Sequence, residues 1–315
     1  MIVDVAAAVI LRADGAFLLA QRPPGKVYAG WWEFPGGKIE AGEAPGHALA
    51  RELHEELGVD VVRAYPWLTR VYAYEHATVR LHFFRVLEFR GEPHGREAQA
   101  FAWQMPGERL VEPMLPANAP VLRSLALPYE YAISSAETIG VEPFLARLEA
   151  RLAAGLRLVQ VRDKTLPSKA RASLARRVVE VSNRHFARVL VNGDEALARA
   201  AGADGVHWPA EQLMRATARP ADMMCAASCH SIEELALAAR LDCDLAVLGP
   251  VLDTASHPRA GTLGWDGFAR LAQGASLPIY AIGGVKLKDL ERAWTCGAHG
   301  LAMIRGSWDS SQGGK

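Results

Sequence analysis

The sequence predicts two consecutive α/β domains, a mixed α/β domain over residues 1–127 and a parallel (β/α)8 barrel over residues 128–315. The chain length of 315 residues corresponds to two domains at about 150 residues each. From about residue 130 onward, short apolar segments alternate with helical patterns, which is typical of a parallel barrel. Before that point, apolar segments, a glycine-rich turn and one amphipathic helix follow each other without such a repeat.

Composition and charge exclude several classes of protein. The 35 Lys and Arg residues balance the 35 Asp and Glu residues, so no large basic surface for a nucleic acid polymer is expected. The first residues lack the basic and apolar regions of a signal peptide, and no apolar segment approaches the ~20 residues of a membrane span. We therefore expect a cytoplasmic protein with no membrane partner and with structural cysteines; a homo-oligomer stays open.

The first domain is predicted to begin with a hairpin and to contain one amphipathic helix. Apolar residues 5–11 and 17–21 flank the turn Ala13-Asp14-Gly15, and the helix is expected over residues 45–57 with Gly58 as its stop. Further strands are expected over residues 71–74 and 79–86, a loop over 114–120, and a short helix from there to about residue 127.

Three carboxylates share one face of the predicted helix. Glu52, Glu55 and Glu56 stand at positions i, i+3 and i+4. Adjacent negative charges repel one another unless cations lie between them, and hard oxygen ligands at this density suit Mg²⁺ or Mn²⁺. A solvated acidic face is the alternative.

The spacing around these carboxylates resembles the Nudix box. Gly37 is followed after five residues by Glu43, and Glu43 after seven by Arg51-Glu52-Leu53-His54-Glu55-Glu56-Leu57-Gly58-Val59. The resemblance implies a Nudix hydrolase with an α/β/α sandwich and a mixed sheet. It implies that the metal ligands are Glu52, Glu55, Glu56 and the Gly37 carbonyl, with Glu52 as the leading candidate for the base. Arg51 and Glu43 would form a supporting ion pair.

The flanking residues resemble the MutT-type 8-oxo-dGTP diphosphatases. The similar segments are Gln21-Arg22, Trp32-Glu33-Phe34-Pro35-Gly36-Gly37-Lys38 and Pro116-Ala117-Asn118-Ala119-Pro120. The resemblance implies Mg²⁺-dependent hydrolysis of 8-oxo-dGTP to 8-oxo-dGMP and pyrophosphate, which cleans the nucleotide pool for DNA replication and repair. It also implies a further catalytic and metal carboxylate at Glu97, phosphate or sugar contacts from Arg22, and stacking of Phe34 on the base.

Asn118 has a physical reason to select the oxidised base. Guanine N7 accepts a hydrogen bond, whereas in 8-oxoguanine this nitrogen carries a proton. An Asn amide accepts from that N–H while donating to O6, and guanine leaves two acceptors facing each other. Unpaired buried groups cost about 1–3 kcal/mol, or one to two decades of discrimination. The alternative is a turn residue between two prolines.

The second domain shows eight strand candidates. They lie near residues 131–134, 156–163, 187–192, 205–208, 223–230, 245–251, 278–284 and 300–306, with helices such as 168–183, 231–240 and 287–298 between them. Too few residues follow the eighth strand for a full closing helix. The first domain, the helix over 119–127 or a second subunit is expected to cover the flank this exposes.

This domain resembles the thiamine-phosphate synthase and thiazole tautomerase family, which is built on a TIM barrel. The similar segments are Leu158–Lys164, Val191-Asn192, Gly202–His207, Ser228–Ser231, Leu248–Val251 and Ala281–Val285. The resemblance implies a ligand site at the barrel mouth, with a histidine that tautomerases use for proton transfer at His230. The candidate ligand-binding residues are Gln160, Arg162, Lys164, Asn192, His230, Gly284, Arg305 and Gly306.

The chain departs from the synthase pattern at three positions. Gly193 and Gln212 stand where synthases have metal-binding Asp residues, and His257 replaces a phosphate-binding Lys. Asp194 lies one residue along and could substitute only with a shifted backbone. Three readings therefore stay open: an 8-oxo-dGTP hydrolase with a degenerate barrel, a thiamine-biosynthesis enzyme whose Nudix half clears thiamine-type pyrophosphates, and a hydrolase whose barrel is a module that binds a phosphorylated metabolite.

Overall fold

The protein is represented by a computed structural model that describes residues 2–95, 99–108, 110–254 and 261–309. Its chain divides into two compact units. One is formed by the residues up to Leu127 together with Gly274–Ser276, and the other by the rest of the chain. Among the described residues, no helix combines the length and the apolar character that crossing a bilayer requires.

The first unit contains seven strands and two helices among its described residues. In chain order they are β1 (Ile2–Ile10), β2 (Phe17–Gln21), β3 (Trp32–Glu33), β4 (Gly36–Lys38), α1 (Pro45–Leu57), β5 (Asp60–Ala73), β6 (Thr78–Arg90), β7 (Phe101–Gln104) and α2 (Ala119–Leu125). A 3-10 turn over Pro116–Asn118 leads into α2. The predicted helix over residues 45–57 is confirmed at both ends.

Strand β1 forms the centre of a mixed sheet with the order β4-β1-β6-β5. It pairs parallel with β6 and antiparallel with β4. Its side chains alternate between two cores: Ala6, Ala8 and Ile10 pack in one core with the leucines of α1, and Ala7 and Val9 pack in another that includes Val121 of α2. Because both faces of one strand are covered by helices, the mixed α/β/α sandwich is confirmed.

The predicted hairpin is only partly formed. The turn exists: Leu11 and Phe17 form an antiparallel bridge, and Gly15 has the left-handed φ of 88°. Beyond it the strands separate, because β1 already has a partner on each edge. Strand β2 instead joins a second sheet with the order β3-β2-β7.

The second unit is a closed barrel of eight parallel strands. The strands are β8 (Glu130–Ile133), β9 (Leu158–Val161), β10 (Arg188–Asn192), β11 (Gly205–Trp208), β12 (Met224–Cys229), β13 (Leu245–Leu248), β14 (Ile279–Ile282) and β15 (Gly300–Met303). The helices are α3 (Ala136–Ile139), α4 (Val141–Ala153), α5 (Ser168–Asn183), α6 (Glu195–Ala201), α7 (Ala210–Arg215), α8 (Ile232–Arg240), α9 (Gly264–Ala272) and α10 (Leu290–Thr295). The predicted (β/α)8 barrel is confirmed, and each predicted strand overlaps an observed one.

Among the described residues, no α-helix follows β15, and part of the barrel flank there is covered from within this unit. After β15 the chain makes a 3-10 turn and buries Trp308 in the core that α4 and α5 line. The Trp308 ring packs edge-on against Phe144 with 4.9 Å between ring centres, and its indole N–H donates to the Ile133 carbonyl at 2.7 Å. The Trp308 side chain therefore covers part of the flank that the first domain, the helix over 119–127 or a second subunit was expected to cover.

Candidate functional site

Helix α1 carries the predicted catalytic carboxylates on the face opposite its buried stripe. Leu49, Leu53 and Leu57 are fully buried, as predicted. The helix ends because Gly58 adopts φ 66°, a left-handed conformation that favours glycine. The spacing of 3.6 residues per turn then places Glu52 and Glu56 one above the other on the outer face.

The carboxylate of Glu52 lies directly against Gly37. A Cβ atom at residue 37 would lie 2.1 Å from Cδ of Glu52, so only glycine leaves room for this carboxylate. The Glu52 and Glu56 side chains are each 15% exposed, whereas that of Glu55 is 59% exposed. Gly37 and Glu52, which are fifteen positions apart in the chain, thus lie in direct contact in the fold.

Arg51 holds the carboxylate cluster together. Its guanidinium donates to both oxygens of Glu43 at 3.1 and 3.0 Å, to Glu52 at 2.9 Å and to Glu55 at 3.3 Å. The hydrogen bonds from Arg51, and then the one from the Glu40 amide, lower the pKa of the Glu43 carboxyl. The bidentate Arg51–Glu43 pair matches the supporting role that the sequence predicts.

The donor set of this helix face fits a hard divalent cation. The Glu52 carboxylate occupies the cradle that a side chain at Gly37 would fill, and Glu56 and Glu55 supply further oxygen donors. Lys26 Nζ lies 3.9 Å from Glu56 Oε1, so Lys26 and Arg51 offset part of the negative charge of this cluster. Over the described ranges, no three carboxylate, histidine or cysteine side chains converge as a metal cluster. Glu97 lies outside the described residues.

Asn118 is buried beside β3. It is 4% exposed, and its amide nitrogen donates to the Trp32 carbonyl at 3.4 Å and to the Met114 sulfur at 3.6 Å. Backbone hydrogen bonds join the same stretch to β3, from Trp32 N to the Pro113 carbonyl and from Leu115 N to the Trp32 carbonyl. Oδ1 of Asn118 accepts no hydrogen bond from the described residues, which leaves the acceptor of the amide for a ligand.

The other two predicted substrate residues have different surroundings. Arg22 forms a bidentate ion pair with Glu33 at 2.6 and 2.8 Å and donates to the Val27 carbonyl. Phe34 is buried in the core, with its ring centre 6.0 Å from that of Phe17 and 5.8 Å from that of Phe83. Stacking of Phe34 on a base stays a prediction, and it would use only the small part of the ring that is not in core contact.

A partly exposed aromatic cluster adjoins the Arg22–Glu33 pair. Tyr28 lies with ring-centre distances of 5.3 Å to Trp31, 5.6 Å to Tyr74 and 5.7 Å to His76. Burial raises the pKa of Glu33 despite the opposing charge of Arg22. Burial and then the Glu33 charge raise the pKa of Tyr74 to about 12. These residues give the loop before β3 an apolar face with a carboxylate at its edge.

The barrel mouth holds a cavity of about 670 Å³. Its described lining carries the cationic side chains of Arg162, Lys164, Lys286 and Arg305, and Asp309 is its one described carboxylate. All eight predicted barrel residues line this cavity: Gln160, Arg162, Lys164, Asn192, His230, Gly284, Arg305 and Gly306. A surplus of positive charge in a concave site favours an anionic ligand.

The loop after β9 is fixed in place by α3. The buried Asp163 accepts hydrogen bonds from the Ser134 hydroxyl and from the Glu137 amide. The Glu137 carboxylate accepts from the amide and hydroxyl of Thr165 at 2.9 and 2.7 Å. Lys164 is held between these anchors. Burial and then the neighbouring Arg162 charge lower its pKa, a repulsion that a bound anion would relieve.

The positions where synthases have metal-binding carboxylates lie together but contain none. A Cβ atom at Gly193 would lie 3.7 Å from Oε1 of Gln212, which shows that the two positions are neighbours. Asp194 does not replace them. Its carboxylate caps α6 by accepting from the Leu197 amide at 2.9 Å, and Arg171 lies 3.5 Å away.

The glycine loops and His230 shape the rest of the mouth. Gly284 has φ 67°, and a Cβ there would lie 2.6 Å from the Asp253 carbonyl oxygen, so the turn requires glycine. Nδ1 of His230 lies 2.6 Å from the Gly249 carbonyl oxygen. Because a carbonyl only accepts, Nδ1 carries a hydrogen, and Nε2 has no hydrogen-bond partner among the described residues.

Family comparisons assign both halves of the chain. Residues 1–125 match the family model described as NUDIX domain, and residues 130–306 match the model described as Thiamine monophosphate synthase. The chain belongs to both families. It is a fusion of a Nudix domain with a thiamine-phosphate synthase-type barrel, as the sequence predicts.

Several curated proteins are similar to one half or the other. The CTP pyrophosphohydrolase of Escherichia coli is 40% identical over 122 residues, which is 39% of this chain and 90% of that protein. The 8-oxo-dGTP diphosphatase of Haemophilus influenzae is 38% identical over 124 residues, 39% of this chain and 91% of that protein. The thiamine-phosphate synthase of Limosilactobacillus fermentum is 32% identical over 183 residues, 55% of this chain and 86% of that protein.

Several polar residues of these sites were not among the predicted ones. In the Nudix domain they include Lys26 and Glu33, and in the barrel His207 and Lys286. A signal for His207 was available, because it is a polar residue inside the apolar strand β11. Lys26 and Lys286 lie in loops, where only the folded chain brings their charges to a site.

Proposed function

We propose that the Nudix domain hydrolyses 8-oxo-dGTP with water to 8-oxo-dGMP and pyrophosphate, as a cytoplasmic step of nucleotide-pool sanitation, with residues 1–127 as the catalytic unit. The amide of Asn118 is the observation that carries this substrate. It is buried next to β3, and its acceptor Oδ1 accepts no hydrogen bond from the described residues. The name of the Haemophilus influenzae relative supports the same substrate.

Each residue of the α1 face has a role in the proposed reaction. Mg²⁺ or Mn²⁺ would be held by Glu52, Glu55 and Glu56 with the Gly37 carbonyl, and Glu97 is proposed to complete the set. When bound, the cation neutralises the charge of the phosphate chain. Glu52 is the proposed base: its carboxylate accepts a proton from the water that attacks phosphorus. Arg51 keeps this carboxylate in place through the hydrogen bond of 2.9 Å.

Asn118 suits 8-oxoguanine and cytosine and disfavours unmodified guanine. When one Nδ2 hydrogen turns from the Met114 sulfur to the ligand, the amide pairs with N7–H and O6 of 8-oxoguanine, and equally with the amino group and N3 of cytosine, because both edges present one donor beside one acceptor. Unmodified guanine presents two acceptors, N7 and O6, on the same edge. CTP, which the name of the Escherichia coli relative contains, is therefore the competing substrate.

Steady-state kinetics separate these substrates. With Mg²⁺, kcat/KM for 8-oxo-dGTP should exceed that for dGTP by about a hundredfold, the discrimination that unpaired buried groups give. Asn118→Ala should lower kcat/KM for 8-oxo-dGTP and leave dGTP nearly unchanged. Comparable rates for 8-oxo-dGTP and dGTP would refute the purine assignment. A higher kcat/KM for CTP would assign the same pocket to cytosine, and preferred cleavage of thiamine diphosphate would assign it to thiamine-type pyrophosphates.

We propose further that the barrel is an anion-binding module that requires no divalent cation. The support for this proposal is that the barrel mouth carries cationic side chains and lacks carboxylates at Gly193 and Gln212. Gly193 and Gln212 provide no carboxylate, and Asp194 is used as a helix cap, whereas four cationic side chains line the cavity. Fixed cations bind phosphate oxygens directly, so the charge that a metal would supply comes from Arg and Lys.

Titration with inorganic pyrophosphate tests this module. We use the full chain with Glu56→Gln, in EDTA, so that the Nudix domain does not contribute. Binding should persist in EDTA, and Lys164→Ala should weaken it about tenfold, as for loss of a charge-assisted hydrogen bond. Lys169→Ala, which removes an exposed Lys outside the cavity lining, is the matched control. Binding that appears only with Mg²⁺ would overturn the proposal.

One observation favours a second activity for the barrel, namely isomerisation of a phosphorylated thiazole. The Nε2 base of His230 faces the cavity with its tautomer fixed by the Gly249 carbonyl. Incubation of a thiazole phosphate carboxylate with the protein in D₂O should then give deuterium incorporation that His230→Gln abolishes. Equal incorporation in both proteins would remove this activity.

A further inference from the structure

A chain of four hydrogen-bonded polar groups lies in the barrel interior, along the wall of the cavity. Gln160 Nε2 donates to the Tyr131 hydroxyl at 3.0 Å, and this oxygen lies 3.1 Å from His207 Nδ1. On the other side of the imidazole, His207 Nε2 lies 2.8 Å from the Ser228 hydroxyl oxygen. Gln160, Tyr131 and His207 are buried and Ser228 is partly exposed; Gln160, His207 and Ser228 all line the cavity.

The donor and acceptor of each hydrogen bond in this chain follow from the Gln160 amide nitrogen, which stands at its start. An amide nitrogen only donates, so the Tyr131 oxygen accepts from Gln160 and directs its own proton to His207 Nδ1. A neutral imidazole has one acceptor and one donor nitrogen, so Nε2 carries the hydrogen and donates to Ser228. The ring stays neutral because burial, and then the charges of Arg162 and Lys164, lower the pKa of His207 to about 3.

We propose that His207 is a positioning residue that orients the Ser228 hydroxyl as a hydrogen-bond donor to the barrel ligand. Because Ser228 Oγ already accepts from His207, its own proton is directed into the cavity. This proposal rests on the anion-binding role of the barrel and specifies it. The ligand presents an unprotonated oxygen at Ser228, such as that of a phosphate or carboxylate, and accepts the hydroxyl proton there.

The tautomer of His207 is measured independently of any ligand. Long-range ¹H–¹⁵N correlation spectra of the full chain, labelled with ¹⁵N-histidine, distinguish the two neutral forms, and His207→Gln identifies the signal among the 10 histidines. We expect the form with hydrogen on Nε2, unchanged from pH 8 to pH 5. Hydrogen on Nδ1 of His207, or a charged His207 ring at pH 6, would overturn the proposed hydrogen bond from His207 to Ser228, whether or not the barrel binds an anion.

A double-mutant cycle tests the link to Ser228. Pyrophosphate is titrated in EDTA against full chains that carry Glu56→Gln. Ser228→Ala and His207→Leu should each weaken binding about fivefold, as for one net hydrogen bond, and the double variant no further. His207→Gln, whose amide still donates at the Nε2 position, should bind like the parent. Independent, multiplicative losses, or a loss with His207→Gln as large as with His207→Leu, would reduce His207 to a packing role.

Failure of the anion-binding role and failure of the role of His207 are distinguishable. If the parent chain binds no pyrophosphate in EDTA, the anion-binding role fails, while the tautomer measurement still decides the hydrogen bond from His207 to Ser228. If the parent binds and Ser228→Ala changes nothing, the anion site stands and the role of Ser228 fails. Circular dichroism of each variant separates misfolding from these outcomes.

Discussion

A methyl group added at Gly37 would displace the Glu52 carboxylate, which supplies the three atoms nearest to it. The Cβ of Gly37→Ala would lie 2.1 Å from Glu52 Cδ and Oε2 and 2.4 Å from Oε1. Ordinary contacts of a Cβ atom begin near 3.4 Å, so the carboxylate has to move by about 1 Å or more. The obstructing atoms are the far end of a flexible side chain, and they can rotate away.

This displacement predicts a large effect on catalysis and a small one on stability. A misplacement of about 1 Å in a catalytic group costs about a hundredfold in rate. The free energy of unfolding should change by less than about 1 kcal/mol, because no backbone or core atom is displaced. We therefore expect kcat/KM for 8-oxo-dGTP to fall about a hundredfold, with a weaker affinity for Mn²⁺ measured by electron paramagnetic resonance.

The neighbouring glycine supplies the matched control. At Gly36 a Cβ would lie 2.0 Å from the Ala6 carbonyl oxygen, on the central strand β1, and φ is 145°. This contact cannot relax by a side-chain rotation. Gly36→Ala should lower the free energy of unfolding by about 3 kcal/mol and Tm by about 10 °C. If Gly37→Ala keeps parental activity and Mn²⁺ affinity, or is destabilised as much as Gly36→Ala, the assignment of this cradle to Glu52 is wrong.

Three further perturbations probe other parts of the sites. Glu56→Gln should reduce nucleotide hydrolysis by about a hundredfold or more with an unchanged Tm, because it removes a metal-binding charge; substantial residual turnover would contradict the metal assignment. Lys26→Ala should strengthen Mn²⁺ binding in the absence of nucleotide by up to about fivefold, since a half-exposed ammonium 3.9 Å from Glu56 no longer competes; weaker Mn²⁺ binding would refute this competition. His207 has a folded-state pKa of about 3, below its unfolded value of about 6.5, so the unfolded chain binds more protons between these pH values. Stability should fall as pH drops through this window by up to about 1.4 kcal/mol per pH unit, and urea titrations of His207→Gln should show a flatter dependence.

The sequence predicted those features that depend on local periodicity and on motif spacing. The α1 stripe of Leu49, Leu53 and Leu57 repeats every four residues, and Gly58 is a strong stop, so the helix was predictable to the residue. The barrel strands are short apolar runs bounded by turns, which is the pattern of strands buried on both faces. The face shared by Glu52 and Glu56 follows from the helix period alone.

Features that depend on long-range contacts were not predictable in this way. The separation of β1 and β2 into different sheets reflects the partners that β1 finds in β4 and β6, and no local pattern encodes such pairing. The use of Trp308 to cover the barrel flank depends on the distant Phe144 and Ile133. Lys26 and Lys286 gain their roles from loop geometry, which hydrophobic periodicity does not describe.

The helix cap at Asp194 also limits how the barrel could evolve. Metal binding by Asp194 would require its carboxylate to leave the Leu197 amide, which would cost α6 about 1 kcal/mol. A metal site without Asp194 would need new acids at Gly193 and Gln212 together. The first would enter a left-handed conformation with φ 68°, at a further expense of about 1 kcal/mol, and neither acid alone would assemble the site. Two of these changes, at Asp194 and at Gly193, would therefore lower stability before any metal could bind at this barrel mouth.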